Sequence, residues 1–428
     1  MNAPATDLQR LLADANTHAA AGRFADADAA FTRVLDADPD HPVALRFKSF
    51  AALQRNDFAA AEALLRRVVA REPADARSWY NLALAQYGQD RPSDALTALN
   101  ESLKHNREQP PAWLYRGVLL QEAGDHEAAV VSFLRGVKIA ERLGLQPADP
   151  EMQRLMQHAG ATVAVALDAR LDAALAPVVE RFGADAVARI RAGADIFVGK
   201  RAAGYAHPKW RPGLFYIPDL RPRMFFERDE FAWTAEVEAA TADIRAELEQ
   251  VLAEGDGLAP YVNHAAGTAG AKTWAGINQS RDWSSFHFFR HGERQDEHCR
   301  RCPRTAAVLE AIDLQRVPGY GPEAMFSVLR PHTRIPAHYG AVNGRVIAHL
   351  PLIVPENCGA LRVGDQQRSW TEGELLMFDD SFEHEAWNDS DETRVVLIFD
   401  SWNPAITPAE RAAFAAVLQA AQRFEQLI

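Results

Sequence analysis

The sequence predicts a multidomain α and β chain: an N-terminal α-solenoid of helical repeats, a helical connector, and a jelly-roll barrel with flanking helices. Whole columns of residues recur every 34 positions in the first third of the chain. Near the C-terminus, short apolar stretches separated by Pro, Gly and Asp/Asn turns follow one another at about ten-residue intervals, which favours an antiparallel sandwich or barrel over βαβ units. At 428 residues, the chain also exceeds what one ordinary core organises.

Composition narrows the function classes. A formal charge of -12, from 46 basic and 58 acidic residues, argues against broad affinity for nucleic acid or an anionic membrane surface. Three cysteines, Cys299, Cys302 and Cys358, are few and odd in number for a disulfide-stapled secreted chain and point to a reducing compartment. The N-terminal stretch from Met1 to Asp7 has neither the basic nor the apolar region of a signal peptide, and no uncharged apolar run of about 18 residues occurs. A cytoplasmic protein with no membrane span and no nucleic-acid partner is therefore expected.

Taken in order, residues 1–145 form the repeat array. Gly22, Asn56, Asp90 and Gly124 open equivalent turns 34 residues apart. Ala27, Ala61, Ala95 and Ala129 keep the same register, as do Phe31, Leu65, Leu99 and Phe133, while Leu45, Trp79 and Trp113 mark the next helix of successive units. A small residue where two helices approach and a bulky one a turn later is what a stacked helix-turn-helix unit requires. With Pro39 and Pro73 between units, the array resembles tetratricopeptide repeats, whose concave face is expected to hold a peptide or partner protein. A rigid spacer or dimer platform is the alternative, and in neither case does the array itself supply chemistry.

Residues 146–204 read as a helical connector or cap, with two helices over Glu151–Gly193 and a stop at Phe182-Gly183. The third domain, residues 205–428, opens on Pro208, Pro212, Pro218 and Pro222 interleaved with Trp210, Phe215, Tyr216, Phe225 and Phe226. One amphipathic helix is predicted over Phe231–Leu252, with Val237, Ala240, Ile244, Leu248 and Val251 on its apolar face. A strand begins at Trp283. Cys299 and Cys302, with His298 beside them, read as the start of a helix and not as a zinc site, because no second CxxC supplies the remaining ligands.

Strands are predicted at Ser327–Leu329, Arg345–Leu352, Leu361–Val363, Glu374–Phe378 and Arg394–Phe399. Among them lie polar groups with no evident reason to sit in a core. His338 and His384 are 46 positions apart, and Arg394 follows ten residues later. Imidazole nitrogen suits iron(II), and a planar guanidinium can bind a carboxylate through two parallel hydrogen bonds. The carboxylate that most iron oxygenases place two residues after the first histidine is replaced by Gly340. Asp380, Glu383 and Glu385 are expected to order the surrounding loop, with Asp379-Asp380 as a turn, and not to bind metal.

His338-Tyr339-Gly340, the spacing to His349, Trp370-Thr371-Glu372-Gly373, the block from Phe378 to Trp387, and Arg394 together resemble the aspartyl/asparaginyl β-hydroxylase family. The resemblance covers residues 205–404 and is densest over 325–402. It implies a double-stranded β-helix that uses iron(II), 2-oxoglutarate and O2, with His338 and His384 as the protein ligands of the metal. It also implies Arg394 and Ser327 on the distal carboxylate of 2-oxoglutarate and His349 at that cosubstrate's other end. Arg345 would stand near the substrate, and Trp283 would wall the same side. The implied reaction is hydroxylation at the β-carbon of an Asp or Asn side chain in a peptide or protein presented by the repeats. The alternatives are a small molecule or lipid-linked acyl chain as substrate, or a non-catalytic scaffold. Where animal members carry a second arginine this chain has Ile347, which withdraws a cation from an aspartyl substrate.

Overall fold

The computed structural model describes residues 3–428; Met1 and Asn2, with which the predicted array and N-terminal stretch begin, lie outside the described residues. The described residues form two compact units, one reaching to Ala166 with Leu427–Ile428, and the other Leu167–Gln426. The boundary falls inside one long helix, Pro150–Phe182, which ends at Gly183 with φ of 87°. No helix among the described residues is long and apolar enough to cross a membrane.

The first unit is a succession of helical hairpins: Ala3–Ala20 with Phe24–Ala37, Pro42–Gln54 with Phe58–Arg71, Ala76–Tyr87 with Pro92–His105, and Pro110–Glu122 with His126–Arg142. The 34-residue period is also a period in backbone conformation. Gly22, Asn56, Asp90 and Gly124, one at each hairpin turn, have φ of 71°, 57°, 59° and 83°. This is the left-handed region that Gly, Asn and Asp visit at least cost. The two predicted packing columns are buried throughout, from Ala27 and Phe31 to Ala129 and Phe133. Trp79 and Trp113 each donate their indole N–H to a carbonyl six residues back, those of Pro73 and Arg107. Equivalent residues thus perform equivalent tasks in successive repeats.

The second unit is built on strands β1 (Phe225–Phe226), β2 (Ala259–Pro260), β3 (Trp283–Arg290), β4 (Glu293–Arg294), β5 (Ala324–Leu329) and β6 (Thr333–His338). They continue as β7 (Arg345–Ile353), β8 (Leu361–Val363), β9 (Gln366–Arg368), β10 (Leu376–Phe378), β11 (His384–Asn388) and β12 (Arg394–Trp402). An eight-stranded sheet runs β1-β10-β7-β12-β5-β3-β2 with β4 paired to β3, and a four-stranded sheet runs β6-β11-β8-β9. From β5 onward the chain passes back and forth between the two antiparallel sheets, which is the double-stranded β-helix.

The large sheet is covered on both faces, so its central strands are apolar almost throughout. One face carries Phe286, Phe326, Val346, Leu350, Leu397 and Phe399 against the helices Thr241–Glu254 and Pro303–Ala311. The opposite face turns toward the smaller sheet, so Arg345, Ile347 and His349, being two apart, share one side of β7. The C-terminal helix Pro408–Glu425 begins with a capping box between Thr407 and Glu410 and buries Ala413, Phe414 and Val417. Truncating a fully buried phenylalanine such as Phe399 to alanine costs about 3–5 kcal/mol.

Two expectations about local structure change. The single helix predicted over Phe231–Leu252 is two helices, Thr234–Ala239 and Thr241–Glu254. The break is at Ala240, whose N–H is shared between the carbonyls of Glu236 and Val237. The predicted strand set also lacked β6 and β11, the strands that carry His338 and His384.

Candidate active site

The two histidines are brought together by strand pairing: β6 and β11 are antiparallel neighbours with His338 and His384 in register. Their ring centroids are 4.0 Å apart. In each ring Nδ1 faces a backbone carbonyl two residues earlier, Pro336 O at 2.8 Å and Phe382 O at 2.9 Å. A carbonyl only accepts, so each Nδ1 carries the proton and each Nε2 keeps its lone pair. Burial holds both rings neutral: it pulls His338 down to about 3, helped by His384, and lowers His384 as well. Two neutral imidazoles oriented in this way suit a divalent first-row metal. Among the described residues no group of three His, Cys, Asp or Glu side chains is disposed to hold a metal.

Gly340 has a structural reason to be glycine. A Cβ there would run into the Asp380 carboxylate, and the Gly340 N–H donates to the Asp380 carbonyl at 2.6 Å. The remaining loop carboxylates are also engaged, Glu383 with Lys209 and Arg362, and Glu385 with Arg362 and Arg334.

One end of the pocket is lined by hydrogen-bond donors. Arg394 opens β12 at 1% exposure, and its Nε and Nη1 have no hydrogen-bond partner among the described residues. Its guanidinium lies 4.5 Å from the Trp370 ring centre, and burial pulls its pKa down to about 10, still far above neutral. Ser327 on β5 is opposite Val396, which places it diagonally across from Arg394 on the same face. Its hydroxyl accepts the indole N–H of Trp283 at 3.0 Å, which frees its own proton for another acceptor. His349 accepts the Trp370 indole N–H on Nδ1 at 3.1 Å. Burial, with Arg394 nearby, keeps this histidine neutral, so Nε2–H becomes a donor. Guanidinium, hydroxyl and imidazole N–H together leave this end short of acceptors, a condition that an anion relieves.

The other end is different. Arg345 binds Asp380 in a fork, Nη2 to Oδ2 at 2.5 Å and Nε to Oδ1 at 3.3 Å, and its Nη1 is 3.7 Å from Asp400. Arg345, which the family resemblance places near the substrate, does line the pocket, and there the chain already supplies it with two carboxylates. Asp380, expected to be part of a simple turn, is one of them. Trp283, Ile347 and Ile398 wall the pocket.

The sequence analysis missed several residues here. Trp370 links His349 to Arg394 from outside any strand, Trp274 packs edge-on against His338 at 4.9 Å, and Tyr261 and Glu323 line the pocket. Trp370 stood within the family-like block and Trp274 reads from the sequence as core or pocket wall, whereas no sequence signal marked Tyr261 or Glu323. Cys299 and Cys302 lie in the predicted helical start: Cys299 in Asp296–Arg301, and Cys302 as the cap of Pro303–Ala311, both buried and unpaired.

Comparison with known proteins agrees with this architecture. Residues 238–404 match the family model described as aspartyl/asparaginyl beta-hydroxylase, and residues 18–87 and 80–149 match tetratricopeptide repeat models. The chain is 39% identical over 186 residues to the ornithine lipid ester-linked acyl 2-hydroxylase of Rhizobium tropici, covering 43% of this chain and 62% of the relative. It is 28% identical over 214 residues to human aspartyl/asparaginyl beta-hydroxylase, covering 50% of this chain and 27% of that protein. The chain therefore spans less than two thirds of either relative. Among solved structures, MamA 41-end from Desulfovibrio magneticus RS-1 aligns with 33% of this chain and 77% of its own, at 26% identity and a TM-score of 0.29. Residues 238–404 are thus a domain of the aspartyl/asparaginyl beta-hydroxylase type, and tetratricopeptide repeats precede it in the same chain.

Proposed function

We propose that the second unit is an iron(II)- and 2-oxoglutarate-dependent hydroxylase, with His338 and His384 holding the metal and Arg394, Ser327 and His349 holding the cosubstrate. The observation that carries this reading is the orphaned guanidinium of Arg394, 1% exposed, at a pocket end supplied with donors and short of acceptors. A dicarboxylate is the ligand such an end satisfies. When bound, iron(II) with 2-oxoglutarate and O2 supplies an oxidant for an unactivated C–H bond, and 2-oxoglutarate leaves as succinate and carbon dioxide.

The chain's own residues then orient and exclude. The carbonyls of Pro336 and Phe382 hold the two imidazoles with Nε2 unprotonated. Arg394 and Ser327 fix the far carboxylate, while His349 directs Nε2–H from a ring anchored by Trp370. Trp274, Trp283 and Phe378 exclude bulk water around the reacting end.

For the substrate, the family name suggests an Asp or Asn side chain of a peptide or protein, presented by the repeats. The pairing of Arg345 and the presence of Ile347 favour a different choice, because neither offers an aspartyl carboxylate a free cation. A hydroxylation of a small molecule or lipid-linked acyl chain is the second reading, and the Rhizobium tropici relative's name supports it. On either reading we assign the concave face of the repeats to a peptide or protein partner, and the buried free thiols support a reducing, cytoplasmic setting.

The test is 2-oxoglutarate binding to the iron-loaded chain by calorimetry, together with succinate release in air. Binding and release that both disappear in His338→Ala support the proposal. Absence of 2-oxoglutarate binding to the iron-loaded wild type would sink it.

A further inference from the structure

The pocket's second end gathers carboxylates around Arg345, and burial raises two of them, Asp400 to about 7 and Glu323 against the opposing Arg345 and Arg290 guanidiniums. Arg345 is one cation held between Asp380 and Asp400, and Asp400, fully buried, keeps Oδ2 without a hydrogen bond among the described residues. A third carboxylate, Glu323, lines the same cavity with its side chain 20% exposed. Its Oε1 takes the backbone N–H of His291 and lies 3.1 Å from His291 Nδ1. Its Oε2 makes no hydrogen bond among the described residues, and the nearest ring nitrogen, His287 Nδ1, stands off at 3.6 Å. His287 brings no balancing charge, because burial pulls it down to about 4. His291 is 69% exposed, so solvent screens it at the rim.

Beside this carboxylate is an aromatic face. Tyr261 lines the cavity, with its ring 4.2 Å from that of Trp283 and stacked along His287 at 6.2 Å. Met325 and Ile347 complete the wall. A carboxylate with an uncommitted oxygen, next to an aromatic face and apolar side chains, is suited to a protonated amine on an apolar stem. A carboxylate brought to the same place would face Glu323 and the Asp380 carboxylate, which is already committed to Arg345.

We propose that this end of the pocket selects a substrate bearing a protonated amine, with Glu323 as its counter-charge and the Tyr261 ring as its wall. The inference rests on the hydroxylase reading of the pocket and adds to it the charge class of the substrate.

The probes are butylammonium, 1-butanol and butyrate, equal in length and different in charge. Each is titrated into the full iron-loaded chain with 2-oxoglutarate under exclusion of oxygen, and the fluorescence of the pocket tryptophans is followed. Butylammonium is expected to bind about ten-fold more tightly than butanol, a difference of about 1.4 kcal/mol, with butyrate weakest. Glu323→Gln is expected to shrink the amine preference to within about two-fold, and Glu323→Asp, which keeps the charge, to retain the order. Butyrate binding as tightly as butylammonium, failure of all three probes to bind, or an unchanged preference in a Glu323→Gln protein with wild-type melting overturns the proposal. The titration needs no turnover, and it is repeated without 2-oxoglutarate. A chain that fails to bind 2-oxoglutarate therefore refutes the hydroxylase reading while the amine order is still measured.

Discussion

Two arginines face one pocket in opposite conditions. Arg345, at one end of the β7–β12 ladder, is held by Asp380 and Asp400, while Arg394, at the start of β12, has two side-chain nitrogens without a hydrogen-bond partner among the described residues. A paired guanidinium is part of the scaffold, and its removal strands the charges around it. An unpaired one is a standing cost to the fold that only a ligand repays. The same side-chain chemistry is thus structural in one place and receptive in the other, and partner geometry is what separates the two roles.

The largest test of this contrast is Arg345→Met, which leaves Asp380 and Asp400 buried without their cation. It is expected to destabilise the second unit by about 3–5 kcal/mol, seen as a lowered urea midpoint by tryptophan fluorescence. A loss under about 1 kcal/mol would mean that Arg345 is not the scaffold element its geometry suggests. Next, Arg394→Met is expected to weaken 2-oxoglutarate about 100-fold by calorimetry, or about 2.7 kcal/mol. The ligand-free protein should melt no lower than wild type, because an uncompensated buried charge has been removed. A clear drop in that melting temperature would erase the contrast.

Ser327→Ala removes one neutral hydrogen bond from the same end and should weaken 2-oxoglutarate by about 1 kcal/mol, roughly five-fold. The smallest effect is expected from Trp370→Phe, which keeps a ring near Arg394 and takes the N–H away from His349 Nδ1. A loss of about 0.5–1 kcal/mol in stability, with a two- to three-fold weaker 2-oxoglutarate, would place His349 among the oriented donors.

These contrasts also mark what the sequence reveals. The repeats were legible because each unit places the same residue type at the same φ, so a period in letters reports a period in geometry. His338, His384 and Arg394 were legible because their spacing and the block from Phe378 to Trp387 travel together. The pairing of Arg345 with Asp380 was not, since it joins residues 35 apart by closure of one sheet over the other. Strands β6 and β11 escaped notice because their residues, Thr-Arg-Ile-Pro-Ala-His and His-Glu-Ala-Trp-Asn, mix polar groups and a proline into short runs with little β signature. Glu323 and Tyr261 stand on separate segments that become neighbours of the pocket only through the fold.

The close fit of Gly340 against Asp380 bears on the evolutionary reach of this site. An acidic residue at position 340 would have to displace Asp380, and displacing Asp380 first would deprive Arg345 of its nearest partner. Either order of the two changes passes through a weakened protein. A lineage that begins from this barrel therefore meets a cost at either first step toward a carboxylate at position 340, and the glycine there is held by its coupling to Asp380 and Arg345.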